Sequence, residues 1–185
     1  MNIENRAKLK DIRVEDLPLV LNWRNQNHIR NVMFSSDSIF MEQHKLWFEK
    51  LQSSNTAVSK IFYFDEVPRG VVNINDINHI HSSCEWGFYI GEVTETRGMG
   101  TILGYSALNY IFKELHMRKV NAEVLENNSI SKNFHKKLGF THDGTLRKHI
   151  YKGDEYIDID IYSIFIDEWL IHSKKIEQKI KGWSL

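Results

Sequence analysis

Two glycines one residue apart, in Arg97-Gly98-Met99-Gly100-Thr101, stand just ahead of a run whose apolar residues recur at helical spacing. Glycine lets the chain turn sharply, and the free amides that open a helix bind phosphate or pyrophosphate. The third glycine of a dinucleotide fingerprint is absent, as is the Gly-Lys-Ser/Thr ending of a triphosphate loop, so neither of those sites is encoded. A glycine turn that merely starts a helix reads the same way, and the assignment rests on support from elsewhere in the chain. Other reactive groups carry less. His79-Ile80-His81 sets two imidazoles on one side of an extended segment, but no third ligand is spaced to complete a metal site. Cys84 is the single cysteine; with no histidine partner announced for a thiolate, it reads as a buried strand residue.

These groups must be held by elements. Residues 16–24 read as a short helix with acidic residues first and Pro18 in its first turn. Residues 40–51 read as another, with Leu46, Trp47, Phe48 and Leu51 on its apolar side. Ile61-Phe62-Tyr63-Phe64 and Val71-Val72-Asn73-Ile74-Asn75 are two strands, with the turn expected over residues 66–70. Residues 84–90 make a strand in which Gly87 predicts a bulge or a close backbone approach. The glycine loop then opens a long helix buried through Ile102, Leu103, Leu108, Ile111 and Phe112. Residues 119–125 form a strand, and residues 129–138 a helix that Gly139 ends with a left-handed cap. Strands over 144–151 and 156–165 flank the tight turn at Lys152-Gly153-Asp154, which implies an antiparallel pair. The order predicts a mixed α/β sheet layered with helices. After a domain over residues 1–170, residues 171–185 are a C-terminal amphipathic helical tail, part of a helix starting near Asp167, with Trp169, Leu170, Ile176, Ile180 and Trp183 set against lysines. Such a basic helix can lie on a membrane or a partner, and more commonly packs on its own domain or on a second copy in a homodimer.

With 185 residues, 42% hydrophobic and 26% charged, the chain fits one domain with a sizeable core, which excludes disordered and fibrous classes. Lys plus Arg equals Asp plus Glu at 24 each, so nucleic-acid binding through a globally basic surface is not expected. A polar start, a lone cysteine and the lack of any apolar run near ~18 residues point to a soluble cytoplasmic protein with no membrane segment.

The glycine loop gains its support downstream. A strand ending in Asn127-Asn128, a short helix, and Lys137-Leu138-Gly139-Phe140 leading into another strand resemble the second half of the GCN5-related N-acetyltransferase core, while Arg97-Gly98-Met99-Gly100 resembles its pyrophosphate loop. Both motifs stand in the family's order, and the architecture matches over nearly the whole chain. One position departs: where the family begins its loop with Gln or Arg, this chain has Glu95. The resemblance implies a mostly antiparallel sheet with splayed central strands, and acetyl-CoA as donor with no metal. It implies that the backbone at Phe88, Tyr89 and Ile90 pairs with the pantetheine and polarises the thioester. It further implies that Arg97, Gly98, Gly100 and Thr101 hold the pyrophosphate, and that Asn128, Ser131 and Phe134 line the opposite wall.

The family often carries a Tyr proton donor four residues before the glycine of its Gly-Phe pair; His135 stands there in this chain. An imidazolium at His135 would protonate the leaving thiolate. Glu126, at the end of the cleft-lining strand, is the first candidate for the base, and Glu85 on the facing strand the second.

Trp23-Arg24-Asn25, Met33-Phe34 and His44-Lys45-Leu46-Trp47-Phe48 resemble segments of the nucleotide-sugar N-acetyltransferases of pseudaminic acid biosynthesis. That likeness implies a UDP-linked 4-amino-4,6-dideoxy sugar as acceptor, held by Arg24, Met33, Phe34, Trp47 and Tyr89. Arg can clamp a diphosphate, and flat aromatic or Met side chains can cover uracil and a 6-deoxy face. Trp23 reads instead as core. Two other readings stay open: an acetyltransferase of protein N-termini or ribosomal proteins, and a noncatalytic acyl-CoA-binding sensor.

Overall fold

The computed structural model describes residues 3–91 and 98–183. In chain order its elements are α1 (Ile3–Arg6), β1 (Ala7–Asp11), α2 (Leu17–Arg24), α3 (Asn27–Arg30), α4 (Met41–Gln52), β2 (Val58–Phe64), β3 (Val67–Asn78) and β4 (Ser83–Ile90). Then come α5 (Met99–Asn109), continued by a π-turn over Tyr110–Glu114, β5 (Lys119–Leu125), α6 (Ser129–Leu138), β6 (Thr141–Lys152), β7 (Glu155–Phe165) and α7 (Ile166–Lys181). The strands form one sheet in the order β1-β2-β3-β4-β5-β7-β6. Every neighbouring pair is antiparallel except β4 with β5, which the crossover through α5 makes parallel. The mixed, mostly antiparallel sheet flanked by helices agrees with expectation.

Alternation along the strands sends side chains to two separate cores. On one face Val72, Ile74, Trp86, Val120, Ala122, Val124 and Ile164 pack with Ile102, Leu108, Trp169, Ile176 and Ile180 of α5 and α7. On the other, Ile61, Val71 and Tyr89 pack with Leu17, Val20, Trp23, Ile29 and Phe48 of α2 to α4. Trp23 is fully buried, as its core reading requires. Helix α7 runs through residues 170 and 171, where the sequence divides domain from tail, and buries Trp169, Ile176 and Ile180 along one side.

Three expectations need correction, and one strand was not expected. The first hairpin turns at Asp65-Glu66, both at positive φ (52° and 60°), as a two-residue I′-type turn demands; residues 67–70 belong to β3. Close backbone approach occurs at Gly70, where a Cβ would lie 2.3 Å from the Tyr89 carbonyl oxygen. Gly87 pairs in regular register with Asn73 and has nothing within 4 Å of where its Cβ would be. Leu46 is exposed, and His44 takes its place on the buried side of α4. Strand β1, three of whose five residues are lysine or aspartate, gives no apolar signal because it is an edge whose charges face water.

Candidate active site

Strands β4 and β5 pair only over Ser83–Lys119, Cys84–Val120 and Glu85–Asn121. Both continue beyond that point, β4 to Ile90 and β5 to Leu125, so the sheet parts into the splay that the family resemblance implies. Phe88, Tyr89 and Ile90 stay paired to β3 through Val72, Val71 and Gly70. Their groups on the β5 side have no ladder partner, and such groups pair with a ligand or with water. A pantetheine arm, with its own amides, matches that edge.

At the mouth of the splay, Gly98 caps α5 with φ 99°. The Thr101 and Ile102 amides donate back to the Gly98 carbonyl at 2.9 and 3.1 Å, which leaves the amides just ahead of them for an anion. Gly100 is half-buried; a Cβ there would sit 3.6 Å from the Phe134 ring. Lys137 of α6 donates Nζ to Thr101 Oγ1 at 3.2 Å. Its ammonium therefore stands beside the loop, a cation that sequence reasoning passed over inside the Lys-Leu-Gly-Phe motif. Arg97 and Glu95 lie outside the described residues.

Helix α6 forms the other wall. Asn128 caps it, its Oδ1 accepting from the Ser131 amide at 3.0 Å. Phe134 packs on Phe88 with centroids 4.7 Å apart, joining α6 to β4 at the root of the splay. His135 is only 4% exposed and sits among Trp86, Phe88, Phe134, Phe140 and Tyr162. Burial pushes its pKa down to about 4, and its Nδ1–H donates to the Ser131 carbonyl at 2.8 Å. These surroundings disfavour the expected imidazolium and favour a neutral ring near pH 7, with Nδ1 directed at the helix backbone.

The two faces of β4 divide the chemistry. Trp86 and Phe88 turn toward the His135 box, so by alternation Glu85, Gly87 and Tyr89 turn to the opposite face, under α2 and α4. Burial, and then the nearby carboxylates of Glu123 and Asp76, push Glu85 up to about 7. A carboxyl poised there can take a proton from an amine at neutral pH. Gly87 leaves open space two residues on. Tyr89 is buried, its phenol held well above the usual range by burial, so it stays a neutral hydrogen-bond donor. Glu126 is exposed on the turn into α6; its amide donates to Asp158 O at 3.0 Å and its carbonyl accepts from Lys132 Nζ at 2.9 Å.

Above this face lies a cavity of about 500 Å³ lined by Arg24, Met33, Trp47 and Tyr89 together with His44, Asn73 and Asn75. Four of the five expected acceptor residues thus converge. Phe34 is exposed and not among the lining residues. His44 stacks on Trp47, centroids 4.9 Å apart, and its buried Nε2 has no partner among the described residues; nor has Nη1 of Arg24. Burial lowers the pKa of both side chains. Asn73 and Asn75 escaped notice because they read as the polar half of an alternating strand. Among the described residues no cluster suited to a metal ion occurs, and no helix is long and apolar enough to cross a membrane.

Comparison with known proteins accounts for this geometry. A family model described as an acetyltransferase (GNAT) domain matches residues 9–161. Spermidine N(1)-acetyltransferase of Escherichia coli (strain K12) is 25% identical over 171 residues, 91% of this chain and 90% of that protein. Acetyltransferase PseH of Campylobacter jejuni subsp. jejuni serotype O:23/36 (strain 81-176) is 25% identical over 131 residues, 71% of this chain and 80% of that one. The crystal structure of spermidine N-acetyltransferase from Vibrio cholerae in complex with CoA and spermine shares the fold, with a TM-score of 0.83 at 21% identity over 90% of this chain and 99% of that chain. The chain belongs to the GNAT acetyltransferase family and is an acetyl-CoA-dependent N-acetyltransferase.

Proposed function

We propose that the acceptor is the 4-amino group of a UDP-linked 4-amino-4,6-dideoxy sugar, and that the enzyme serves pseudaminic acid formation for flagellin glycosylation. The observation that carries this reading is the charge layout of the acceptor cavity. Arg24 lines it and leaves a buried N–H without a partner, which suits a diphosphate. The β4 face beneath it carries Glu85 beside Glu123 and Asp76, which suits an amine. Met33 and Trp47, between them, offer flat apolar cover for a base and a deoxy sugar.

Acetyl-CoA supplies an activated thioester. The chain's own part is to bind, orient and move protons. The amides around Gly98 and Gly100, with Lys137, hold the pyrophosphate. The backbone of Phe88 to Ile90 aligns the pantetheine and polarises the carbonyl. We assign the base to Glu85 rather than Glu126, because Glu85 is half-buried on the acceptor face with a pKa of about 7. As the amine nitrogen bonds to the acetyl carbon, Glu85 takes the amine proton and the carbon–sulfur bond breaks. The departing thiolate is protonated by water, since the His135 N–H is engaged by Ser131.

The same acidic trio also favours a second reading, a polyamine acceptor. Thiol release from acetyl-CoA, measured with a UDP-4-amino sugar, spermidine and an N-terminal peptide, decides between them. Turnover with the sugar alone is expected. Turnover with spermidine or peptide alone would overturn the proposal, as would CoA binding with no turnover on any acceptor.

A further inference from the structure

Three cations converge on the loop between α3 and α4, and among the described residues backbone carbonyls alone receive them. Arg24 Nη2 donates to Ser35 O at 3.2 Å, and Arg30 Nε to Ser36 O at 2.7 Å. Lys152 donates Nζ to Asn31 O at 2.9 Å and also to Met33 O. Arg24 and Arg30 belong to neighbouring helices, whereas Lys152 comes from the end of β6. There the two-residue turn at Gly153-Asp154 (φ 60° and 68°) and the Tyr151–Tyr156 ring contact, 5.1 Å between centroids, fix the hairpin.

None of the three forms an ion pair with a carboxylate among the described residues. Of the described residues lining the cavity the one carboxylate is Asp37, which is exposed and accepts from Ser35 Oγ at 3.2 Å. The charges feel one another. Burial and then Arg24 push the Lys152 pKa down, and Arg30 adds to the effect of burial on Arg24. Like charges gathered without a counterion are unfavourable, and an anion entering among them relieves that repulsion. Donors remain for it: among the described residues Nη1 of Arg24 is buried and unpartnered and Arg30 uses only Nε, and a Lys ammonium carries one proton more than the two carbonyls take.

We propose that Lys152 and Arg30 complete, with Arg24, a diphosphate cradle, and that Lys152 is the residue through which the β6–β7 hairpin selects an anionic acceptor over a polycation. This rests on the nucleotide-sugar reading above and adds two residues to it. Lys152 and Arg30 stand behind the cavity wall, against the loop whose Met33 and Ser35 line it beside Arg24; a polyamine would meet like charge at this end, whereas a nucleoside diphosphate would bring a charge-assisted partner to the cations.

Calorimetry with CoA saturating, so that the donor's anion site is filled, tests the cradle with UDP, UMP and inorganic pyrophosphate as probes. Lys152→Met should weaken UDP about tenfold, narrow the preference for UDP over UMP, and leave CoA affinity unchanged. Lys152→Arg should keep most of the wild-type affinity. Arg30→Gln, whose amide can still reach Ser36 O, reads the same cradle from the other side should Lys152→Met fold poorly. Wild-type UDP affinity in both Lys152→Met and Arg30→Gln would overturn the role of these residues and leave the nucleotide-sugar reading standing. Binding of pyrophosphate that depends on Lys152, with no gain from the nucleoside, would uphold the cradle and sink the nucleotide. Binding of neither anion would overturn both.

Discussion

The indole of Trp183, just past the end of α7, occupies the place a side chain on Gly98 would need: a Cβ there would fall 2.4 Å from the ring. The residue that follows α7 is thereby seated on the loop assigned to the pyrophosphate. Two costs follow for any residue larger than glycine, the clash with the ring and the positive φ of 99°, which strains non-glycine backbone by on the order of 1–3 kcal/mol.

A double-mutant cycle separates those costs. Gly98→Ala should lower CoA affinity about tenfold or more by calorimetry. Trp183→Ala should lower it a fewfold, because the loop loses its backing. Combining the two should recover part of the Gly98→Ala loss by removing the clash, while the strain persists. A double variant no better than Gly98→Ala, with Trp183→Ala at wild-type affinity, would show that Trp183 does not support the loop.

With Glu85 as the proposed base, the reaction acquires a pH dependence. Its pKa is raised to about 7, and a base acts only when deprotonated, so kcat/KM should rise with pH through about 7 and level off above it. Glu85→Gln should remove that limb and lower kcat by on the order of 10²- to 10⁴-fold, with CoA affinity intact. Glu126→Gln should keep both limb and rate. The opposite pattern would return the role of base to Glu126.

Much of this was legible in the residues, and where it was not the reason is physical. Strand β5 and helix α6 have the bounds that the sequence predicts because local signals set them: an apolar alternation in one, an Asn128 cap and a Gly139 stop in the other. The Gly98 loop was equally local. Distance along the chain hid the rest. Lys152 stands 119 residues from Met33 and meets it only because β6 and β7 bring the hairpin over α3. Glu85 and Glu126 are alike as letters; burial beside two other carboxylates, a property of the sheet, sets Glu85 apart. Gly87 predicts a backbone device, whereas the structure shows regular pairing and open space where its side chain would be.

His135 shows the same limit from the side of energetics. Its position implied an acid, but its surroundings hold the ring neutral, so the consequence falls on stability. In the unfolded chain the imidazole takes up a proton near pH 6.5, whereas in the folded protein it resists until about 4. The folded state therefore has its full share of stability above pH 6.5 and loses it as the pH falls toward 4. The loss amounts to on the order of 3 kcal/mol. His135→Phe removes the titration, so the difference in unfolding free energy between variant and wild type, from urea titrations at pH 7.5 and pH 5, should shift in the variant's favour as the pH drops. Any constant packing cost cancels in that comparison. The kcat profiles of the two proteins between pH 7 and 9 should run parallel. Equal stability slopes, joined to an alkaline limb that only the wild type shows, would restore His135 as an imidazolium that protonates the thiolate.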